Sequence, residues 1–130
     1  MKKLCNCGSK KSYFDCCAKY IENKSNAPSP ELLMRSRYTA YSLAKIDYII
    51  KTMTGKAALA YDALESEIWA KQVIWQKLEV VSSRLLNPNH GFVEFKAYYL
   101  DQQQSIILHE LSEFKRINQQ WFYIDGKMLN

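Results

Sequence analysis

The sequence lacks any apolar run that could cross a membrane. Its longest strictly apolar runs, such as residues 106–108, are a few residues long, whereas a transmembrane helix needs about 20. No secretory leader is visible either, because Cys5, Asn6 and Cys7 stand where its apolar segment would begin. The sequence therefore predicts a cytoplasmic protein without a membrane span.

Proline, glycine and the short motifs of several enzyme classes are scarce or missing. Three Pro and four Gly among 130 residues, with 48% hydrophobic and 24% charged residues, exclude collagen-like and disordered chains and predict a folded core. The length fits one domain plus at most a small appendage. There is no glycine-rich phosphate loop, no G-x-S-x-G elbow and no H-E-x-x-H helix, so those chemistries have no support.

The net charge of +5 is concentrated at one end of the sequence. Residues 1–24 contain six Lys against Asp15 and Glu22, and the remainder is nearly neutral. This local excess argues against a broad phosphate-binding face and against specific DNA binding. It predicts one small cationic patch, which either contributes to docking on a partner or only keeps this end of the protein soluble. The lysines concerned are Lys2, Lys3, Lys10, Lys11 and Lys19.

Cysteine is absent after residue 17, and all four cysteines fall within thirteen residues. Four thiolates in a cytoplasmic protein suit a closed tetrahedral site, because zinc accepts four sulfur ligands at about 2.3 Å and leaves no open position. The spacing therefore predicts one structural Zn²⁺ ion, whose negative tetrathiolate the nearby lysines would offset. The predicted ligands are Cys5, Cys7, Cys16 and Cys17.

The alternatives are two disulfides, in any of three pairings, or four reduced cysteines without a metal. Vicinal Cys16 and Cys17 cannot pair with each other without strain, and no export signal indicates an oxidising compartment. Both facts favour the metal. Gly8 and Ser9 follow the first cysteine pair in a tight turn, where their backbone N–H groups are expected to point at the sulfur atoms.

The pattern Cys-x-Cys-Gly-Ser, followed by Lys11, Tyr13 and the pair Cys16-Cys17, resembles the SEC-C zinc motif. That motif is best known at the carboxyl end of the SecA preprotein translocase, where it binds zinc and contacts the SecB chaperone and the ribosome. The resemblance implies a small zinc knuckle that docks on a protein or a ribosome, with lysines adding electrostatic attraction. Most relatives have Pro where this sequence has Asn6.

Helical signals follow a polar linker over residues 22–28. Ser29 is expected to cap a first helix that has Pro30 at its first position. A second, short helix is expected to run from a cap at Asp47 to near Gly55. A third is expected over residues 58–71, with four apolar residues pointing inward: Leu59, Ala63, Leu64 and Ile68.

The hydrophobic period changes from near 3.6 to 2 after Gln72, which predicts long antiparallel strands. Helices followed by a meander predict an α+β fold, in which three helices pack on one face of a curved antiparallel sheet. The predicted organisation is a zinc knuckle over residues 1–21, a linker over 22–29 and an α+β domain over 30–130. The strand segments are residues 73–83, 92–101, 105–116 and 121–124.

The knuckle and several segments of the α+β domain together resemble the bacterial YchJ-like family over nearly the whole sequence. The segments are residues 29–41, Trp75, Leu78-Glu79, and residues 91–95, 109–116 and 121–126. The resemblance implies a fold similar to that of nuclear transport factor 2 (NTF2-like, also cystatin-like), a conical α+β shape with a pocket between sheet and helices. The family's biochemical activity is unassigned. Some relatives carry a second SEC-C motif at the carboxyl end, whereas this sequence has no cysteine after Cys17.

An acidic residue is predicted to face the core of the sheet. A buried carboxylate is costly unless it is paired, so Glu110 is expected to pair with Arg35 or Arg37 on the first helix. The prediction follows from strand alternation, which turns Val93, Phe95, Ala97 and Tyr99 inward on one strand and Ile106, Leu108, Glu110, Ser112 and Phe114 inward on the next.

This ion pair either closes the helix on the sheet as a structural contact or belongs to a pocket that orients a small polar ligand. In the second interpretation the domain binds a small molecule, or acts on it as an isomerase or hydrolase would. His109 is not expected to join Glu110, because neighbours on a strand point to opposite faces, and His90 is expected to be a turn residue. The pocket residues would be Glu110, Ser112, Arg35, Arg37, Tyr38, Tyr99 and Trp121.

The sequence leaves the oligomeric state open. Sheets of this curvature often form dimers through their outer faces. Trp75, Tyr98 and Ile107 would then either lie in a homodimer interface or cover a sheet edge.

Overall fold

The computed structural model describes residues 3–130, so Lys2 and the role predicted for it lie outside the described residues. Within that range no helix is long and apolar enough to span a membrane. The elements are a 3-10 turn at Tyr13–Asp15, helices α1 (Ala18–Ile21), α2 (Pro30–Ser42), α3 (Ile46–Lys51), α4 (Lys56–Leu59) and α5 (Ala63–Gln72), and strands β1 (Ile74–Asn87), β2 (His90–Asp101), β3 (Gln104–Ile117) and β4 (Gln120–Met128).

The four strands form one antiparallel sheet in the order β1-β2-β3-β4, and the predicted α+β class is confirmed. Two of the connections are two-residue turns in the left-handed region, with φ of 50° and 69° at Gln102 and Gln103 and of 50° and 65° at Asn118 and Gln119. Such turns match the twist of the strands they join. Strands β1 and β4 are longer than the sequence predicted.

Helix α2 begins where the sequence predicted. The Ser29 hydroxyl accepts a hydrogen bond from the Leu32 backbone N–H at 3.2 Å, and Pro30 occupies the first turn. The helix buries eight residues, among them Leu33 and Met34, so it forms the centre of the helical layer. Side chains of α2 contact the cysteines on one side and the sheet on the other, so the position of this helix relates the two.

The predictions for the other two helices need correction. Helix α3 begins at Ile46 after Lys45, so Asp47 lies in its first turn and is not the cap. The predicted third helix is interrupted, because the Asp62 side chain accepts from the Glu65 N–H at 3.0 Å and starts α5 anew. This restart changes which face points inward. Three residues predicted to be buried are therefore exposed: Leu59, Leu64 and Ile68.

The core lies between α2 and one face of the sheet. The predicted alternation on β2 is confirmed, since Val93, Phe95, Ala97 and Tyr99 are all buried. On β3, Ser112 and Phe114 are buried on the same face, and Phe114 is completely inaccessible. This face is covered by helices, and the opposite face carries the residues of alternate parity.

We expect stability to fall at high pH because of Tyr48. Its hydroxyl lies 2.7 Å from Ser36 Oγ, and burial raises the pKa of Tyr48 to about 12. The unfolded chain releases this proton near pH 10, so the stability present below about pH 10 is lost as the pH rises to about 12, at up to about 1.4 kcal/mol per pH unit. Denaturant titrations at fixed pH values would measure the loss. An unfolding free energy that stays flat to about pH 12 would contradict it.

Candidate functional site

The four cysteine sulfur atoms form one buried cluster, in which all lie within 4.8 Å of one another. The Sγ atoms of Cys7 and Cys16 are 3.6 Å apart, and those of Cys16 and Cys17 are 4.0 Å apart. Tetrahedral ligation with metal–sulfur distances of about 2.3 Å places sulfurs about 3.8 Å apart. The cluster therefore has the donor set and the spacing of a four-coordinate metal site.

Local backbone structure positions the cysteines. Leu4 and Ser12 form a β-bridge, and the Cys5 N–H donates to the Lys11 carbonyl at 2.8 Å, so the chain folds back on itself. Gly8 makes this turn with φ of 83°, which glycine adopts without strain. The following 3-10 turn delivers Cys16 and Cys17 to the same point.

The sequence predicted that the backbone N–H groups of Gly8 and Ser9 point at the sulfur atoms, and for Gly8 this is wrong. The Gly8 N–H donates to the Cys5 carbonyl at 3.3 Å and not to a sulfur. A side chain takes the predicted role, because the Ser9 hydroxyl lies 3.1 Å from Cys16 Sγ. The Gly-Ser pair therefore supports the cluster through the serine hydroxyl.

The cluster also packs directly on α2. The Thr39 hydroxyl donates to Cys17 Sγ at 3.3 Å, and Arg35 donates to the Cys7 carbonyl at 2.7 Å. The sequence did not predict these contacts of Thr39 and Arg35 with the knuckle. Arg35, predicted to face the pocket, instead holds the knuckle and forms an ion pair with Glu31 at 3.0 Å.

The four sulfur atoms are close enough for each thiol to alter the pKa of its neighbours. Hydrogen bonding from Cys17, followed by that from Cys7, lowers the pKa of the Cys5 thiol, whereas the Cys5 thiolate raises the pKa of Cys17. A thiolate so stabilised is the form that binds metal.

The surface of the knuckle combines positive charge with exposed apolar side chains. Lys3, Lys10, Lys11 and Lys19 are exposed, and none forms an ion pair within residues 3–130. Leu4 is 58% and Phe14 75% exposed, and both line a groove of about 350 Å³ together with Lys3. We call this surface the knuckle face; it comprises Lys3, Leu4, Lys10, Lys11, Phe14 and Lys19.

A second region of interest is a cavity of about 220 Å³ between the helices and the sheet. Of the predicted pocket residues, Arg37, Tyr38, Glu110 and Ser112 line it. Arg35, Tyr99 and Trp121 do not. Trp121 lies on the other side of α2, near Ala27 and Leu33. The full lining is Met34, Arg37, Tyr38, Tyr41, Trp69, Trp75, Phe95, Ala97, Leu108, Glu110, Ser112, Phe114 and Tyr123.

The predicted ion pair between Glu110 and an arginine is wrong. Glu110 Oε2 accepts hydrogen bonds from Ser112 at 2.6 Å and from Tyr123 at 3.0 Å, and no cation lies within 4 Å of it in the described part of the chain. Arg37 Nη1 donates to the Ile49 carbonyl at 2.9 Å and to Thr52 Oγ1 at 2.7 Å. Hydroxyl groups, not a guanidinium, are therefore the donors to Oε2 of this carboxylate.

Tyr123 is the residue that the sequence analysis missed. Its ring lies 4.6 Å beneath the Arg37 guanidinium, and its hydroxyl donates to Glu110, so it separates the two charges. Burial, followed by the charge of Glu110, raises the pKa of Tyr123, which keeps it a donor. A Cβ on Gly126 would lie 2.6 Å from Glu110 Oε2, so glycine leaves room for this pair. The sequence did contain a signal for Tyr123, because it lies two residues after Trp121 in β4 and strand alternation turns such residues to the same face.

Aromatic rings form one wall of the cavity. The Trp69 and Trp75 rings meet edge to face at 5.0 Å, and Tyr41 lies 5.9 Å from Trp69. Trp75, considered for a dimer interface or a sheet edge, belongs to this wall and donates its indole N–H to the Ala70 carbonyl at 3.1 Å. Tyr99 packs behind the wall, 5.5 Å from Trp69.

The two histidines lie on the other face of the sheet. His109 Nε2 is 2.7 Å from Glu94, and His90 Nε2 is 2.6 Å from Glu113. Neither lines the cavity, as the strand argument predicted for His109. His90 begins β2 and pairs with an acid of β3, so it is more than a turn residue.

The fold and the cysteine cluster together define a protein with an NTF2-like α+β domain preceded by a SEC-C cysteine knuckle. The family described as YchJ, middle NTF2-like domain, matches residues 29–126. A UPF0225 protein of Photorhabdus laumondii is 40% identical over 129 residues, covering 97% of this chain and 81% of the relative. The chain belongs to the YchJ-like (UPF0225) family.

Solved structures of SEC-C motif proteins share both parts of the architecture. The solution structure of a SEC-C motif containing protein from Rhodopseudomonas palustris is 33% identical, with a TM-score of 0.88 and complete coverage of both chains. A crystal structure of a SEC-C motif containing protein from Psychrobacter arcticus is also 33% identical, with a TM-score of 0.83, covering 97% of this chain and 82% of that one.

Proposed function

We propose that the cysteine cluster binds one structural Zn²⁺ ion. Support comes from four buried sulfurs within 4.8 Å of one another and from hydroxyl groups of Ser9 and Thr39 placed against them. Four protein ligands leave no position for a substrate, so the ion holds the knuckle together and does no chemistry. Free thiols of this kind suit the reducing cytoplasm.

We propose further that the protein is a docking module, whose knuckle face binds an acidic surface of a protein or a ribosome. The carrying observation is that the knuckle exposes four lysines, which form no ion pair within residues 3–130, and two apolar side chains, Leu4 and Phe14. Apolar exposure rimmed by charge is typical of interaction surfaces. The α2 contacts of the cluster fix this surface rigidly to the α+β body.

Co-sedimentation with purified bacterial ribosomes, and binding to purified SecB in parallel, would test the docking. We expect binding to weaken as salt rises from about 50 to 300 mM, because the attraction is screened over about 10 Å or less. Replacing Lys3, Lys10 and Lys11 by Ala should weaken binding by at least about tenfold, mainly through slower association.

A matched variant controls for net charge. Replacing Lys51, Lys115 and Lys127 by Ala removes three exposed lysines outside the knuckle face and should leave binding unchanged. Equal losses in both triple variants would show an unspecific charge effect. Binding that is indifferent to salt, or no binding to either partner, would contradict the docking proposal.

The cavity supports a second candidate, in which the α+β domain binds a small molecule. The specific observation is Glu110, a carboxylate in an aromatic-lined cavity with no cation within 4 Å of it among residues 3–130. A native mass spectrum of gently purified protein would report a retained ligand, the zinc count and the oligomeric state in one experiment. A small-molecule mass that is lost on denaturation would favour this candidate.

A further inference from the structure

We propose that the cavity binds a small organic ammonium ion, a protonated amine carried on an apolar body. This inference rests on the second candidate function and gives its ligand a chemical class. It depends on three features of the cavity: an oxygen of Glu110 that no neighbour uses, a wall of aromatic rings, and the small volume.

The first feature is the unused oxygen of Glu110. Both hydroxyl donors, from Ser112 and Tyr123, bond to Oε2, and Oε1 has no hydrogen-bond partner within residues 3–130. No fully buried side-chain oxygen in that range lacks a partner, so Oε1 is accessible to solvent. A half-buried carboxylate in this state is best satisfied by a cationic N–H donor.

The second feature is the aromatic wall. Tyr41, Trp69 and Trp75 line the cavity together with Tyr38. Aromatic faces attract cations, tryptophan most strongly, and cages of such rings recognise ammonium groups. The carboxylate and the aromatic rings therefore both favour a positively charged ligand. The apolar carbon atoms of that ligand would contact Met34, Phe95 and Leu108.

The positive charge of Arg37 is the main argument that the cavity binds an anionic ligand instead. Its Nη1 is used by Ile49 and Thr52, and its guanidinium face lies on the Tyr123 ring at 4.6 Å. The Tyr123 ring thus stands between this cation and Glu110. An ammonium ion approaching Glu110 leaves those contacts intact, whereas an anionic ligand would have to bind through the remaining guanidinium N–H groups, an alternative that phenylacetate tests.

The third feature is volume. The cavity of about 220 Å³ is below the roughly 300–1,000 Å³ of pockets for drug-sized ligands, and corresponds to about seven waters at ~30 Å³ each. A single ring with a short aminoalkyl chain is the scale of ligand that fits. Phenethylammonium is therefore a suitable probe, with 2-phenylethanol and phenylacetate as neutral and anionic counterparts.

The experiment is an NMR titration of the three indole N–H signals, which the chain supplies at Trp69, Trp75 and Trp121. Phenethylammonium should shift the signals of Trp69 and Trp75, which line the cavity, and not that of Trp121, which lies elsewhere. We expect it to bind at least about tenfold more tightly than 2-phenylethanol, because a hydrogen bond to a charged partner discriminates to that extent.

The variant Glu110→Gln should weaken phenethylammonium at least about tenfold and leave 2-phenylethanol unaffected. Glu113→Gln is the matched control, because Glu113 lies on the same strand, outside the cavity, and pairs with His90. If Glu110→Gln fails to fold, as the Trp121 signal and circular dichroism would show, the comparison of the three probes on the unaltered protein decides the question.

The outcomes distinguish whether the cavity prefers an ammonium ion from whether it binds a small molecule at all. Equal or tighter binding of 2-phenylethanol or phenylacetate would overturn the ammonium class and keep the cavity as a ligand site. Failure of all three probes to move Trp69 and Trp75 would overturn the ammonium class and count against the cavity candidate itself. Neither result bears on docking by the knuckle face, which the ribosome and SecB experiments test.

Discussion

Replacing Cys17 by Ser should abolish metal binding and unfold the knuckle. Cys17 is 1% exposed, and its sulfur contacts Thr39 as well as the other cysteines. Structural zinc contributes about 10–16 kcal/mol in short peptides at neutral pH, which is more than the fold of some twenty residues supplies by itself. The variant, like the chelated protein, should lose ordered structure in the segment before α2.

Native mass spectrometry would count zinc, and amide NMR signals would report which segment unfolds. We expect one zinc per chain in the unaltered protein, none in Cys17→Ser, and persistent signals from the four strands in both. Ser9→Ala is the control, since Ser9 contacts Cys16 Sγ without being a ligand and should retain the ion. A protein purified without zinc, or a ligand variant that still binds it, would contradict the metal proposal.

The contacts between cluster and helix limit the independence of the two parts. Thr39 and Arg35 of α2 both bond to the knuckle, and the cysteines belong to the same buried cluster as Leu33 and Val93. Unfolding the knuckle exposes that side of α2, so the α+β body should become less stable while remaining folded. Collapse of the sheet on chelation would contradict the predicted boundary between residues 1–21 and 30–130.

Local signals explain what the sequence could predict. The cysteine spacing, the Ser29 cap and the period-2 strands each depend on neighbours in the chain, and the structure contains all three. The error in the third helix has a similar local origin, because Asp62 was a visible cap inside a continuous apolar pattern. A continuous apolar period favours a single helix, whereas the Asp62 cap starts a new one and leaves Leu64 and Ile68 exposed.

The contacts of Glu110 could not be predicted in this way. Its inward direction follows from alternation, but its partner depends on the pairing of β3 with β4. A register shift between Glu113 and Phe114 pairs Phe114 with Tyr123 and Glu110 with Met128. Such irregularities alter which residues meet without leaving a periodic signal. A tyrosine hydroxyl therefore reached the carboxylate where simple charge pairing predicted an arginine.

Replacing Phe114, on the same strand, by Ala should destabilise the protein by about 3–5 kcal/mol, because it removes a large aromatic side chain from the core. Phe114 is inaccessible to solvent, and its ring lies 5.8 Å from that of Tyr123. Urea unfolding of both proteins would measure the difference. Ile107→Ala is the matched control, since Ile107 lies on β3 at 45% exposure and should cost about 1 kcal/mol or less.

The Phe114 variant also tests how firmly the cavity is built. Phe114 lies in the core directly behind the cavity, and its ring packs on that of Tyr123, whose hydroxyl donates to Glu110. Removing its ring enlarges the cavity and frees Tyr123 to move, so the defined position of the carboxylate should be lost together with stability. If the free energy of unfolding changed no more than in Ile107→Ala, this face would be loosely packed.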